Sequence, residues 1–161
     1  KEYEKEGLGG HVLIKAADES IDRRMPRMDS EYSMGYQLTM ELLREQKQFT
    51  AIAGQNDMMA IGAIDALEKS RIRVPKDVSV IGCDDIFYSS IRRLSLTTID
   101  HFVALKGRDA CDIIIRKITT NDQFYTGLQP TSLYNIEYTP KLIARKTTTY
   151  AKTSGISKPV K

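Results

Sequence analysis

Two short apolar runs with a helix between them, all within residues 49–86, constrain this chain more than any other feature. Residues 49–53 form the first run, 54–57 a polar break, 58–70 a helical pattern, Val74-Pro75 a turn, and 78–83 the second run, which ends on Asp84 and Asp85. Antiparallel neighbours can be joined by a short turn, whereas parallel strands need a crossover, so this pattern predicts a β-α-β unit. Both strands then end at one edge of the sheet, which brings Asn56 and Asp57 beside Asp84 and Asp85. In open α/β sheets small ligands bind outside the carboxyl ends of the strands. Carboxylates and an amide at that rim suit hydroxyl-rich or cationic small molecules, because these groups make several hydrogen bonds at once.

The rest of the composition narrows the class. The chain has 161 residues, 41% of them hydrophobic, with 24 Lys and Arg against 21 Asp and Glu and a net charge of +3. This is globular composition, against disorder, and the interspersed charges do not call for a nucleic-acid surface. Cys83 and Cys111 are the only cysteines and stand in no C-x-x-C spacing, so neither a disulfide framework nor a zinc site is indicated and a reducing cytoplasm is expected. There is no signal peptide, although a removed leader would leave no trace, and no apolar run of about 18 residues, so secretion and membrane spanning have no support.

Read from its start, the chain opens with a charged stretch, 1–6, closed by Gly7, Gly9 and Gly10, as at the end and C-cap of a helix. Residues 11–17 suit a buried parallel strand, and 18–29 a polar rim loop. A helix is predicted over 30–46, with Asp29 or Ser30 as N-cap, and with Tyr36, Met40 and Leu43 on one stripe and Gly35, Leu38 and Leu42 on the next. The helix after Asn56 carries Ala60, Ala63 and Ala66 beside Ile61, Ile64 and Leu67, so it approaches its neighbours closely and has one side for a partner subunit. Residues 86–96 form an apolar loop that suggests a contact. A β-like piece at 97–100 precedes a helix over 102–118 with Val103, Ala110, Ile113, Ile114 and Ile118 as core candidates. Turns at 119–130, two β patterns at 131–138 and 142–146 split by Pro140, and a mobile tail from 147 to 161 complete the reading.

The run AIAGQNDMMAIGAIDALEKSRIRVPKDVSVIGCDDI, followed by LSLTTIDHFVALKGRDACDIIIRKI, resembles the sensor region of the lactose repressor/galactose repressor (LacI/GalR) family of transcriptional regulators. Three motifs carry the resemblance: Asn56-Asp57 opening an Ala/Gly/Met-rich helix, the VPxDVSVIGxDD pattern of 74–85, and the LTTI of 96–99. It implies an α/β fold, a parallel sheet flanked by helices, of the periplasmic-binding-protein-like type I, of which this chain would hold an incomplete second subdomain. On that alignment 1–100 belongs to the C-terminal effector-binding subdomain, 101–130 to the largely missing first one, 131–146 to closing strands and 147–161 to a tail. The helix at 102–118 then either detaches, repacks or is completed by a second chain. The effector site implied is Asp84, Asn56, Ser30, Glu31, His101, Phe102 and Val103; the dimer interface implied is Ile61, Ile64, Ile86, Phe87, Tyr88 and Ile91. Ser30 and Cys83 stand where many family members have aromatic residues. DNA would be bound through an N-terminal helix-turn-helix absent from this chain.

Plainer readings stand beside these. Asp57 reads as a helix cap, Asp85 as structural, and Met58-Met59 as core packing. His11 and His101 read as too isolated for a metal or catalytic set, Arg23-Arg24 and Arg92-Arg93 as solvated, and Gly7-x-Gly9-Gly10 as no phosphate cradle because it precedes a strand. With no catalytic constellation, metal site or cofactor motif, the expectation is the effector-sensing and dimerisation region of a cytoplasmic LacI/GalR-type regulator that binds a small sugar-like molecule and is not an enzyme. A solute-binding protein is the alternative, and a sugar hydrolase using Asp57 and Asp84 is a third.

Overall fold

Helix α1 (Arg27–Arg44) and helix α2 (Asp57–Lys69) cross with their backbones in contact. A Cβ on Gly35 would run into the Met59 carbonyl, and one on Gly62 into the Tyr32 carbonyl, so two glycines, one on each helix, set the approach. This is a computed structural model that describes residues 13–16, 27–119 and 136–150. Strand β1 (Ala51–Ala53) lies between the two helices in sequence; β2 (Ser79–Ile81), a 3-10 turn (Phe87–Ser90), β3 (Thr98–Asp100), helix α3 (Val103–Thr119) and β4 (Lys141–Ile143) follow.

β1 and β2 pair in parallel, Ile52 opposite Val80, as the crossover demands. The Ser79 N–H bonds the Thr50 carbonyl on one side of β2, while Val80 and Gly82 turn their backbone groups to the other. There Gly82 N–H donates to the Thr97 carbonyl at 2.9 Å, and Asp84 N–H to the Ile99 carbonyl at 2.9 Å, so β3 continues the sheet in parallel. β3 in turn pairs antiparallel with β4, Ile99 opposite Leu142. The core fills the space between this sheet and the helices with Leu43, Ala60, Ile64, Leu67, Ile72, Val78, Val80 and Leu96. Ala60, Ala63 and Ala66 are all buried, so the small stripe of α2 faces the interior.

Several sequence expectations are corrected here. The expected tail is anchored at its start: Thr147 is buried, its carbonyl accepts from Val80 N–H at 2.8 Å and its hydroxyl donates to the Val80 carbonyl at 2.7 Å. β2 offered an unpaired edge below Thr97, and Thr147 fills it, because buried backbone groups must be paired. Residues 13–16 form no strand, and Leu13 and Ile14 are exposed. α1 starts at Arg27, so neither Asp29 nor Ser30 is its cap; Asp29 lies in the first turn, where a carboxylate meets the positive end of the helix. The core candidates of the 102–118 helix are not core: no residue of α3 is buried, and Val103, Ile114 and Ile118 are exposed. Residues 136–138 form no strand, and in place of the expected 142–146 the later strand runs Lys141–Ile143. The expectations for 1–12 (with His11 and the glycines), 17–26 (with Arg23-Arg24), 120–135 and 151–161 lie outside the described residues. No helix among the described residues is long and apolar enough to cross a membrane.

Candidate effector site at the strand ends

The polar segments after β1 and β2 emerge together. Gly54 N–H donates to the Ile81 carbonyl at 2.9 Å and Asp57 N–H to the Cys83 carbonyl at 2.8 Å, so Asn56 and Asp84 share the carboxyl edge of the sheet. Asn56, and not Asp57, caps α2: its Oδ1 accepts from Met59 N–H at 2.9 Å. Asp57 is fully buried instead, accepting from the Thr98 hydroxyl and from Ile86 N–H at 2.9 Å. Burial pushes its carboxyl above the usual aspartate range, with those two bonds pulling the other way. Gly82 permits this placement, because a Cβ there would strike the Asp57 carboxylate.

The two acids that follow β2 have separate tasks. Both take left-handed backbone conformations, with φ of 113° at Asp84 and 50° at Asp85. Asp85 turns inward, where Arg145 Nη2 reaches its Oδ1 at 2.6 Å and Ser89 donates to it at 3.1 Å. The same guanidinium donates to the Leu96 carbonyl at 2.8 Å, so Arg145 ties the residues after β4 to the loop after β2. Asp84 turns to the rim, its Oδ1 2.7 Å from His101 Nε2. Lys106 Nζ stands 3.4 Å from the other ring nitrogen. His101 arrives here because β3 is bonded to the end of β2, and the Asp100 carboxylate accepting from Phe102 N–H at 2.7 Å fixes the turn, with φ of 61° at Phe102.

His101 is therefore not isolated, contrary to the sequence expectation. One ligand atom from each of Cys83, Asp84 and His101 lies within 4.8 Å of the others. Burial and then the Asp84 charge push the Cys83 thiol above its usual range. Of the expected effector residues, Asp84 and His101 are in contact and Asn56 is on the same edge; Phe102 is half-buried and Val103 exposed behind His101, while Ser30 and Glu31 are half-buried in the first turns of α1. Thr98 and Arg145 escaped the sequence analysis, since only strand pairing brings them near, and Lys106 did so because its contact with His101 depends on the turn into α3. A hollow of about 710 Å³ lies elsewhere, lined by Leu38, Thr39, Leu42, Phe49 and Ile52 beside β1.

Among the expected dimer residues, Ile64 is a correction: it is 5% exposed and belongs to the core under α1. Ile61 is partly buried against that core and Ile86 is half-buried. Phe87, Tyr88 and Ile91 are exposed, and the two rings meet edge to face at 6.0 Å.

Residues 3–148 match the family model of the periplasmic binding protein-like domain. The chain belongs to that family. Within it, the relatives are LacI/GalR-type regulators: the HTH-type transcriptional repressor PurR of Haemophilus influenzae is 43% identical over 112 residues, which are 70% of this chain and 32% of that protein. The chain thus spans about a third of the length of the curated relatives it matches. A solved Lac repressor dimer bound to operator and the anti-inducer ONPF is similar at 35% identity and a TM-score of 0.58, over 72% of this chain and 37% of that one. A LacI-family regulator of Enterococcus faecium with bound ribose is similar at 25% identity and a TM-score of 0.61, over 75% of this chain and 41% of that one.

Proposed function

We propose that this chain forms part of the effector-sensing region of a cytoplasmic, dimeric transcriptional repressor, and that it holds one wall of a site for a small sugar or sugar derivative without catalysing its reaction. The observation that carries this is the Asp84–His101 pair, 2.7 Å apart, on the carboxyl edge of a parallel sheet. The carboxylate has a second oxygen for ligand hydroxyls, and the imidazole both orients it and offers a polar edge of its own. Asn56, on the same edge, has its side-chain oxygen engaged at the helix start, leaving its amide N–H groups as donors.

Support for the wider reading comes from the relatives, which are repressors, and from similar structures with ribose in one and with operator and a small molecule in another. Residues 1–100 then form part of one subdomain, and α3 packs on the sheet of another, which accounts for the apolar side chains it exposes. Ligand binding between the subdomains would bias their relative placement and, through the dimer, the DNA-binding heads, which is a coupling between distinct sites.

Thermal denaturation of the full chain with a panel of sugars tests the site. A ligand at about 100 times its Kd stabilises by about 2.7 kcal/mol, and the shift is expected in the parent chain and not in Asp84→Ala. Equal shifts in both would remove Asp84 from the site.

A further inference from the structure

We propose that Cys83, Asp84 and His101 form a three-ligand site for a divalent transition cation of the zinc class, with a fourth position open to the rim. A thiolate, a carboxylate and an imidazole are the ligand types zinc takes, and sites with three protein ligands keep one position for water or another small ligand. The sulfur favours such a cation over magnesium or calcium, which prefer oxygen donors. Geometry supports it: the three donor atoms lie within 4.8 Å of one another. Metal–ligand bonds of about 2.0 to 2.3 Å put donors of a tetrahedral site roughly 3.5 Å apart. The Asp84–His101 contact at 2.7 Å must open slightly and the sulfur close slightly, movements within reach of side-chain rotation.

The backbone that presents the ligands is already fixed. Cys83 accepts the Asp57 N–H at 2.8 Å through its carbonyl, Asp84 is held by its N–H bond to Ile99 at 2.9 Å, and His101 directly follows β3. All three side chains are half-buried, so they are shielded yet reachable. On binding, the Cys83 S–H bond breaks, its proton passes to solvent and the sulfur bonds the metal. Lys106 opposes the ion, because its amino group stands 3.4 Å from His101 Nδ1 and brings positive charge to the site. Linear spacing conceals the set: two ligands are adjacent and the third comes from the next strand of the sheet, unlike the paired spacing of sequence zinc motifs.

This inference is separable from the effector reading at Cys83, which that reading does not use. The test is a titration of the full chain with cobalt(II) alone, read by the thiolate-to-cobalt absorption band in the near ultraviolet. One equivalent is expected to produce the band in the parent chain and in Cys111→Ser, and not in Cys83→Ser. His101→Gln keeps a hydrogen bond to Asp84 and is expected to weaken binding by at least the roughly tenfold that even an outer-shell change costs. Lys106→Met is expected to tighten it. Absence of the band in the parent, its persistence in Cys83→Ser, or its loss in Cys111→Ser would each overturn the proposal. A sugar-induced thermal shift retained in Cys83→Ser leaves the effector reading standing whichever way the cobalt result falls.

Discussion

Asp57 shows how one side chain serves two strand ends at once. It is fully buried, it accepts from Thr98 and from Ile86 N–H, and its carboxyl is pushed upward by burial. A raised folded value means the folded state binds the proton more readily than the unfolded one, so this group's contribution to stability falls as pH rises through the window between the ordinary aspartate value and the raised one. Asp57→Asn keeps an acceptor for Ile86 N–H and can donate to the Thr98 oxygen, so its stability is expected within about 1 kcal/mol of the parent, with that pH dependence lost. Asp57→Ala strands the Ile86 N–H and is expected to cost about 1 to 3 kcal/mol in urea denaturation; a cost no greater than that of Asn would refute the bonding role. Arg145 is the second such residue. Arg145→Ala leaves the Leu96 carbonyl and Asp85 without their shared partner, and the loss expected in the same assay is about 1 to 3 kcal/mol. The sequence revealed the acids but not their assignments: a cap and a buried strut both look like an acid near a helix start, and burial separates them.

At the level of elements, the β-α-β unit was legible because a period-3.6 helix between two apolar runs admits few arrangements, and the structure has β1 and β2 parallel. Gly35 and Gly62 were less legible. A glycine inside a helical pattern reads as a weakness until its neighbour is known, and here each faces a carbonyl of the other helix. Gly62→Ala cannot be relieved by a side-chain rotation, since the obstacle is backbone; thermal denaturation is expected to show a loss of about 1 to 3 kcal/mol, as overpacking does. Helix α3 behaves in the opposite way. Its apolar periodicity is real, yet Ile114 and Ile118 are 57% and 73% exposed, so the pattern describes a surface that this sheet does not cover. Ile118→Lys is expected to change the stability of the chain by no more than about 0.5 kcal/mol, whereas Leu67→Ala, in the core, costs about 2 to 5 kcal/mol. A comparable cost at Ile118 would mean that α3 is packed in solution.

At the scale of the whole fold, the four strands among the described residues form a connected series in which β2 serves β1 on one side and both Thr97 and Thr147 on the other. The last of these contacts was hidden from the sequence, since a Thr-rich stretch reads as solvent-loving until its hydroxyls are seen to complete a ladder. The exposed cluster of Phe87, Tyr88 and Ile91 belongs to this scale as well. If it mediates pairing of two copies, Phe87→Asp is expected to shift sedimentation of the full chain toward the monomer, and an unchanged profile would separate this cluster from self-association.

β3 and β4 run antiparallel, side by side, and α3 is strung between them in the chain. His101 stands one residue past the end of β3 and 2.7 Å from Asp84, so on the proposed effector reading a bound molecule would meet the chain at the point where it leaves the sheet for α3.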